Sequence, residues 1–551
     1  MPTAVQGHSE PSEASRLVAT QKRAIKLPTD AFGRLDDDSL LDLLEHVIAC
    51  GSLRPLSTTC KWIREACKPI LFRRCRLRMP YTFSARYFIP EMMWPYVRSL
   101  FLHCNFPYLE YETDTYFDPP DGYDDVYAPL TAKLCCMPKL QTITLSHTTG
   151  EGVPWEAINA IVQIPQLRSL RILGLLDDRH ILPPETEQSL RLSINSLAAI
   201  DYTSSGYRRA SATEIKLFSV LLRQVTTQRS LEALSIPSEC APLDCLSTTE
   251  FPRLRELSFI GRRQVIMSHA DGQQHIPYIS ILTNMPRLRK LSLTLAQPID
   301  LPRQEIWPTG VRAEFPCPDL QDLSVSYPHP DDEFYAHLPS TLQRLALRCW
   351  PRHYLHLLDH DIADMTKLGW YSPILSSSET LRILRRCPSH SVRRLEVEFE
   401  EDDSGSDLFR CVPNVFPQLQ YLIVHRYRRA GVDITPVAAL AQALAPLRDL
   451  RVLLCNLDFE DAPDPFGTHS NFDLFDTTLQ RAADVLAGSL PLSVEVIGLL
   501  LRQDVSSRYV CFRIIHDGHG TRRAERDNFM FEVHGIFIGD MSSLSRPERP
   551  H

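Results

Sequence analysis

The chain has 551 residues, a formal charge of −8, 44% hydrophobic and 23% charged residues. That length exceeds one compact core, so several domains or an elongated array are expected. The acidic balance argues against a general nucleic-acid binder, which carries a basic excess or stripe. Fifteen cysteines, odd in number and without a CxxC pair, argue against a disulfide framework or a structural zinc site.

Residues 1–26 contain no apolar run of the kind a signal peptide needs, so the thiols are read as reduced, in the cytosol or nucleus. This tail is expected to be disordered, as are residues 541–551. A different character begins over 27–78. Asp36–Asp38 and Ser39 offer helix caps before Leu40, Leu41, Leu43, Leu44 and Val47, which are apolar at helical spacing. Cys50-Gly51-Ser52 breaks that helix. Leu53, Leu56, Cys60, Ile63 and Cys67 mark further turns, which Lys68-Pro69 is expected to close. Cys60, Cys67 and Cys75 are assigned to buried packing. Three short helices cannot hide so many large apolar groups among themselves, and a surplus apolar face implies a docking partner.

Residues 35–78 resemble an F-box. The resemblance rests on Leu35 with Asp36–Asp38, Leu40-Leu41, Leu43-Leu44, Leu53 and Leu56. It rests also on Cys60-Lys61-Trp62, similar to the family's V-C-[KR]-x-[FW] signature, and on PILFRRCRL, similar to a fungal continuation. The family's opening Leu-Pro is here Leu35-Asp36; a Leu27-Pro28 lies farther upstream. The resemblance implies binding of the Skp adaptor, and through it a cullin. The implied contacts are Leu35, Leu40, Leu41, Leu44, Leu53, Leu56, Cys60 and Trp62.

From residue 79 to 500 one pattern recurs: Pro-x-Leu-x-x-Leu-x-Leu. WPYVRSLFL (94–102), MPKLQTITL (137–145), IPQLRSLRI (164–172), FPRLRELSF (251–259), MPRLRKLSL (285–293), CPDLQDLSV (317–325) and FPQLQYLIV (416–424) are its strong copies. LEALSI, LQRLAL, VRRLEV and LRDLRV are weaker ones. Leu-x-Leu alternates across a strand. The proline is expected at the strand entrance, where a missing N–H costs least. Helix-like stretches lie between copies, at Trp155–Gln163, Ala212–Gln224 and Pro436–Leu444. A strand plus a helix every ~20–30 residues is the signature of a leucine-rich-repeat solenoid, each unit stacking on the next because it cannot bury its own apolar face. The Asn or Cys that usually follows the last Leu is replaced by His147, Gly174, Gly261, Leu295, Tyr327 and Arg426. The backbone groups at those turns therefore need other partners, and the repeats are expected to be irregular.

The outward strand positions are small hydroxyls or Arg in the first half: Thr144, Arg171, Ser235, Ser258, Ser292 and Ser324. In the second half they become Arg344, Arg348, Arg394, Glu396, Glu398, Tyr421, Ile423 and His425. On a concave face such groups suit a protein partner, with solvated strand faces as the plainer reading. Arg344, Arg348, Arg394, Glu396, Tyr421 and His425 are the candidate substrate contacts, and the three arginines would suit a phosphorylated one.

Few other features suggest chemistry. No phosphate-loop, dinucleotide, hydrolase-elbow or zincin motif is present. His353, His356 and His360 share a helical spacing near Asp359 and Asp361, but more often such histidines are surface or half-buried, and no metal or cofactor is expected. Glu396–Asp407 is read as a strand running into a solvated Gly/Ser turn. Asp114–Asp125, with Tyr116, Phe117 and Tyr123, is read as an acidic inserted loop. Tyr509–Ile538 alternates as two strands about a polar HDGHGTRRAERDN turn, a hairpin (501–540) capping the solenoid. The expected architecture is thus α/β: a three-helix F-box-like unit followed by an irregular leucine-rich-repeat solenoid with a curved parallel sheet. The implied function is non-catalytic substrate recognition in a Skp–cullin–F-box ubiquitin ligase, with a repeat scaffold lacking any ubiquitin link as the alternative. Either would be cytoplasmic or nuclear.

Overall fold

The structure is a computed structural model. It describes residues 53–79, 88–104, 124–147, 152–153, 155–174, 176, 196–203, 211–227, 229–264, 277–311, 314–353, 363, 365–388, 391–429, 436–463, 472–502, 506–516 and 522–534, together with Ser39, Leu40, Leu43, Leu44, His46 and Val47. The expected tails at 1–26 and 541–551, Leu35, Leu41 and the Asp114–Tyr123 part of the acidic loop lie outside these. The chain divides into two compact units, with the boundary between Arg73 and Arg74.

The first unit is helical. Ser39, Leu40, Leu43, Leu44, His46 and Val47 are in helical conformation; α1 spans Leu53–Ser57 and α2 spans Lys61–Leu71. Cys60 caps α2, its Sγ accepting from the Ile63 N–H at 3.4 Å. Lys68-Pro69 was expected to end this helix, yet α2 runs through Pro69. The proline stands in the last turn, where only one upstream hydrogen bond is forfeited, and the Phe72 N–H still closes onto the Lys68 carbonyl at 3.0 Å. Leu44, Leu53, Cys67 and Ile70 are buried in a cluster of their own, edged by Leu40, Val47, Leu56, Ile63, Ala66 and Leu71.

The second unit is one long, open, largely parallel sheet. Its strands are β1 (Arg74–Met79), β2 (Ser99–Cys104), β3 (Thr142–His147), β4 (Ser169–Leu173), β5 (Ala199–Thr203), β6 (Ala233–Pro237), β7 (Glu256–Arg262), β8 (Lys290–Pro298), β9 (Asp322–Ser326) and β10 (Arg344–Arg348). There follow β11 (Trp370–Tyr371), β12 (Leu375–Ser376), β13 (Arg394–Glu400), β14 (Tyr421–Tyr427), β15 (Val452–Asn456), β16 (Val496–Leu501), β17 (Ser506–His516) and β18 (Arg522–His534). Each strand from β1 to β10 pairs in parallel with the next, β10 pairs with β13, and the ladder continues in parallel to β16. β17 and β18 close it as an antiparallel hairpin. Residues 74–78 were expected in the helical domain; their period-two RCRLR pattern instead makes β1, paired with β2. Likewise Arg522–Asn528, read as turn, belongs to β18.

The repeated letters now have a geometry. Leu257 and Phe259, Leu291 and Leu293, Ile143 and Leu145 are all buried on the inner face, and so is the residue before the proline in six of the seven strong copies: Met137, Ile164, Phe251, Met285, Cys317 and Phe416; Trp94, in the seventh, is half-buried. The proline is not at the strand entrance. In FPRLRELSF the Leu254 N–H donates to the Phe251 carbonyl at 3.1 Å, and MPRLRKLSL repeats this from Leu288 to Met285. Proline therefore occupies the second position of a β-turn, where its fixed φ is preorganised. The strand begins four residues later. Each fully buried Leu of this kind contributes roughly 1.5–3 kcal/mol.

The missing asparagine ladder is replaced piecemeal. At Leu295, one of the vacated positions, the N–H donates to Ser326 Oγ at 2.5 Å and the carbonyl lies 2.7 Å from the same hydroxyl; at the other end of the repeats Ser196 Oγ lies 2.6 Å from the Leu167 carbonyl and Thr341 Oγ1 2.9 Å from that of Leu320. Gly174 and Gly261 take φ of 112° and 102° at two of the vacated ladder positions, a region that favours glycine. Arg426, at another, donates to the Leu457 carbonyl at 2.9 Å and pairs with Glu401.

Connections pack on the inner face. They include α3 (Asp124–Cys135), α4 (Trp155–Val162), α5 (Ala212–Thr227), α6 (Leu243–Thr248), α7 (Tyr278–Leu282), α8 (Ser377–Arg386), α9 (Gly405–Val415), α10 (Val437–Leu444) and α11 (Phe472–Ser489). Among the described residues no α-helix joins β8 to β9 or β9 to β10. The acidic run expected to end in a solvated turn enters α9 at Gly405, and the expected loop through Asp125 has begun α3 at Asp124. No helix among the described residues is long and apolar enough to cross a membrane.

Candidate functional site

The outward strand positions form rows across the sheet. The row at the strand entrances reads Glu256, Lys290, Asp322, Arg344, Arg394 and Tyr421 on β7, β8, β9, β10, β13 and β14, each in register with the next and about 4.8 Å apart. Lys290 pairs with Glu256 at 3.9 Å and Arg344 with Asp322 at 3.3 Å. Arg394 then stands beside Arg344, and like charges directly opposite are unfavourable without an anion nearby. Tyr421 completes the row at 42% exposure. Three of the six candidate substrate residues, Arg344, Arg394 and Tyr421, thus share one accessible row.

The other three do not. Glu396 and His425 were expected to face a partner, but each is only 2% exposed, and Glu398 is 1% exposed. The segment after β10 lies over them. Arg352 Nη1 donates to Glu398 Oε2 at 2.8 Å and Nη2 bonds Glu396 Oε1. The Cys349 N–H also reaches Glu398 Oε2, at 3.0 Å, and the Tyr427 hydroxyl donates to its Oε1 at 2.8 Å. Burial pushes both carboxyls up, but Arg352 more than offsets it, with Arg348 also pulling Glu396 down. Glu398 falls to about 2, and Glu396 lies well below the usual carboxylate range. His425, in register with Glu398 on β14, shares a 3.2 Å hydrogen bond with the Tyr509 hydroxyl. Burial, reinforced by Arg352 and opposed by Glu398 and Glu396, lowers its pKa to about 4. Arg348 reaches Thr294 Oγ1 at 3.4 Å. Burial and neighbouring Arg352 lower its pKa to about 10, so it stays charged near neutrality.

Around these charges lies a second apolar cluster, on the outer face: Ile423, Tyr427, Leu454, Leu500, Tyr509 and Cys511, with Ile374 against it. The covering segment adds Trp350 stacked on Trp370, whose strand β11 pairs antiparallel with the end of β8. His353 packs edge-on against Tyr427, ring centroids 4.7 Å apart. His356 and His360 lie outside the described residues, and no group of three or more potential metal ligands occurs among those described.

The adaptor candidates also separate. Leu44 and Leu53 are buried within the helical cluster, so they build the helices and do not face outward. Leu40, Leu56 and Trp62 are half-buried, Cys60 is exposed as the α2 cap, and Leu43 is 37% exposed. Cys67 is buried and half-buried Cys75 packs from β1 against the sheet's core, while Cys60 is exposed, so the packing assignment fails at Cys60.

The chain matches no family model and no curated protein. Among solved structures it is similar to a chain of the TLR13–ssRNA13 complex, at 12% identity and a TM-score of 0.31, over 69% of this chain and 39% of that one. It is also similar to a chain of the Rad7 and Elc1 complex in yeast, at 12% identity and a TM-score of 0.33, over 85% of this chain and all of that one (100%). The chain thus spans well under half the length of the first of these.

Proposed function

We propose that this chain is a non-catalytic substrate-recognition subunit of a Skp–cullin–F-box ubiquitin ligase, with the helical unit as adaptor-binding end and the leucine-rich-repeat-like sheet as substrate end. The observation that carries the reading is the incompletely covered rim of the helical cluster. Among the described residues, Leu40, Leu43, Leu56, Trp62 and Ile63 are partly or largely open around four buried side chains, in a segment that resembles an F-box. Apolar surplus of this kind suits docking. On the sheet, the Arg344–Arg394–Tyr421 row fits an acidic or phosphorylated segment. The work done is positioning: a captured protein is held at high local concentration beside a ubiquitin-charged partner. Such a ligase operates in the cytoplasm or nucleus.

The test is a pull-down of purified Skp adaptor by the full chain and by a Leu43→Asp/Leu56→Asp variant. Both side chains are at the rim, so the helices should persist by circular dichroism while a carboxylate forced into the interface abolishes capture. Capture lost in the variant supports the reading. A folded wild-type chain that captures no adaptor overturns it and leaves a repeat scaffold without a ubiquitin link.

A further inference from the structure

The first four strands carry charge of one sign. β1–β4 and the turns that lead into β2, β3 and β4 (94–98, 137–141 and 164–168) contain no Asp or Glu, in a chain whose formal charge is −8. Arg74 and Arg76 lie on β1, Arg171 on β4, and Arg98, Lys139 and Arg168 in the turns; all six are exposed. Cys75 and Leu77 pack against the core of the inner face, so Arg74 and Arg76 stand on the outer face. They are in register there with Ser99 and Phe101, Thr142 and Thr144, Ser169 and Arg171. The turn cations line the entrance edge beside them. The N–H groups of Gln141 and Thr142 donate to the Arg98 carbonyl at 2.9 and 3.0 Å, and those of Arg168 and Ser169 to the Gln141 carbonyl at 2.8 and 2.9 Å.

Arg171 pairs with Asp201 on β5 at 2.9 Å. None of the other five is within ion-pair distance of a carboxylate among the described residues. Cations gathered in this way repel one another, so the packing of the sheet does not call for them. What they create is a positive field on an otherwise acidic chain, an arrangement that steers and orients an anionic partner.

The chemistry of that partner follows from their placement. Neighbouring strands are about 4.8 Å apart, so the patch is about 14 Å across, the length of four to five extended residues. Its cations are dispersed over four strands and their turns, which suits separate carboxylates along an extended segment. Ser99, Thr142, Thr144 and Ser169 are half-buried between them and offer hydroxyls to the same groups. A nucleic-acid strand fits less well. Phe101 is the only phenyl ring among the outward residues, and Arg76 already lies over it, 4.9 Å from its centroid, so no ring stays open for base stacking. The net negative charge of the chain also opposes a long polyphosphate.

We propose that the outer face and entrance edge of β1–β4 bind an Asp- and Glu-rich segment of a partner protein, its carboxylates on Arg74, Arg76, Arg98, Lys139 and Arg168. The surface uses neither the Arg344–Arg394–Tyr421 row nor the helical unit, so it stands or falls apart from adaptor capture.

The experiment is fluorescence anisotropy of a labelled octaglutamate peptide titrated with the full chain at low salt, beside a labelled oligothymidylate of equal charge. The expected result is saturable peptide binding below about 1 mM, weakened about tenfold by Arg74→Gln/Arg76→Gln/Arg98→Gln/Arg168→Gln. The variant Arg253→Gln/Arg255→Gln/Arg287→Gln/Arg289→Gln removes the same charge from exposed positions before β7 and β8 and should weaken binding far less. All these side chains are exposed, so both variants should keep the wild-type circular dichroism. No saturable peptide binding, equal weakening by the two variants, or tighter binding of the oligothymidylate than of the peptide overturns the proposal. So does peptide binding that appears only when Glu110, Glu112, Asp114, Asp118 and Asp121 are replaced by their amides, which gives the face to the chain's own acidic run.

Discussion

The outer face of the sheet over β3–β7 and the same face over β13–β17 are built on one repeat grammar and have opposite fates. Over β3–β7 the central outward positions are Thr144, Arg171, Asp201, Ser235 and Ser258, all at least partly open to solvent. Over β13–β17, beyond the open entrance row of Arg394 and Tyr421, the outward positions Glu396, Glu398, Ile423, His425, Leu454, Leu500 and Tyr509 are buried. The inner face does not distinguish the halves: Leu145, Ile172 and Leu257 are as buried as Leu395, Leu422 and Leu453. The inner positions are dictated by stacking, because each repeat must bury its apolar stripe on the next. The outer positions are dictated by whatever covers them. Where nothing does, small polar groups suffice. Where residues 349–353 and 365–374 cross the sheet, the strands become apolar on both sides and the carboxylates acquire a dedicated arginine.

That contrast is most sharply tested at Arg352. Replacing it with Met strands two buried carboxylates, and breaking a buried pair by removing one partner costs about 3–5 kcal/mol. Chemical unfolding followed by circular dichroism should show a loss of that size for Arg352→Met. Arg352→Met/Glu396→Gln/Glu398→Gln should recover most of it, because the charges leave together. A single-variant loss below about 1 kcal/mol would mean that the covering segment is not held by this pairing.

A pH series separates the halves next. The folded pKa of His425, about 4, lies below its unfolded value of about 6.5. The unfolded chain therefore takes up the proton first. The stabilising contribution is complete above pH 6.5 and is lost as the pH falls through 4, on the order of 3 kcal/mol at the limit. The groups facing His425 are Arg352, Arg348, Glu396, Glu398 and Tyr509. The two glutamates are also depressed, so their contribution is lost only below about pH 4.5, towards and beneath their folded values. Between pH 6.5 and 4.5 His425 shares the slope with His353, whose pKa burial also lowers, while Asp332, raised by burial to about 6, opposes them, so His425→Gln should reduce the slope without abolishing it. An unchanged slope in that variant would assign the acid sensitivity elsewhere.

Much of this was legible in the letters. Leu-x-Leu gave the inner face because period two is set by the pleat, and the Ala212 and Val437 helices follow from apolar spacing. The turn was also legible, though unread: the residue before each repeat proline is apolar and usually large, as suits a turn position that faces inward. The cover over the second half left a subtler mark. TITL, LRIL and ELSF alternate, whereas YLIVHRY, VLLCN and VIGLLL are apolar at both parities, the sign of a strand buried on both faces. Gly498 belongs to the same signature, since a Cβ there would lie 2.5 Å from Leu454 Cδ2. Nothing in the strands says which distant segment supplies the cover. Arg352 is 44 and 46 residues from the carboxylates it serves, and no local period encodes that contact. In the helical unit the spacing placed Leu44 and Leu53 on an apolar face without saying which half of that face turns inward.

The open half should be nearly indifferent to loss of its charges. Arg171 and Asp201 pair at 2.9 Å across β4 and β5, with side chains 50% and 35% exposed. Water already solvates both, so the pair replaces hydration at little net gain and added salt screens what remains. Arg171→Ala should change unfolding stability by no more than about 0.5 kcal/mol, and raising the salt concentration should affect variant and wild type alike. The same truncation one sheet-half away, at Arg352, is expected to cost several times as much, although both arginines bridge carboxylates on the same face. A loss above about 1 kcal/mol at Arg171 would mean that the first half also has a cover.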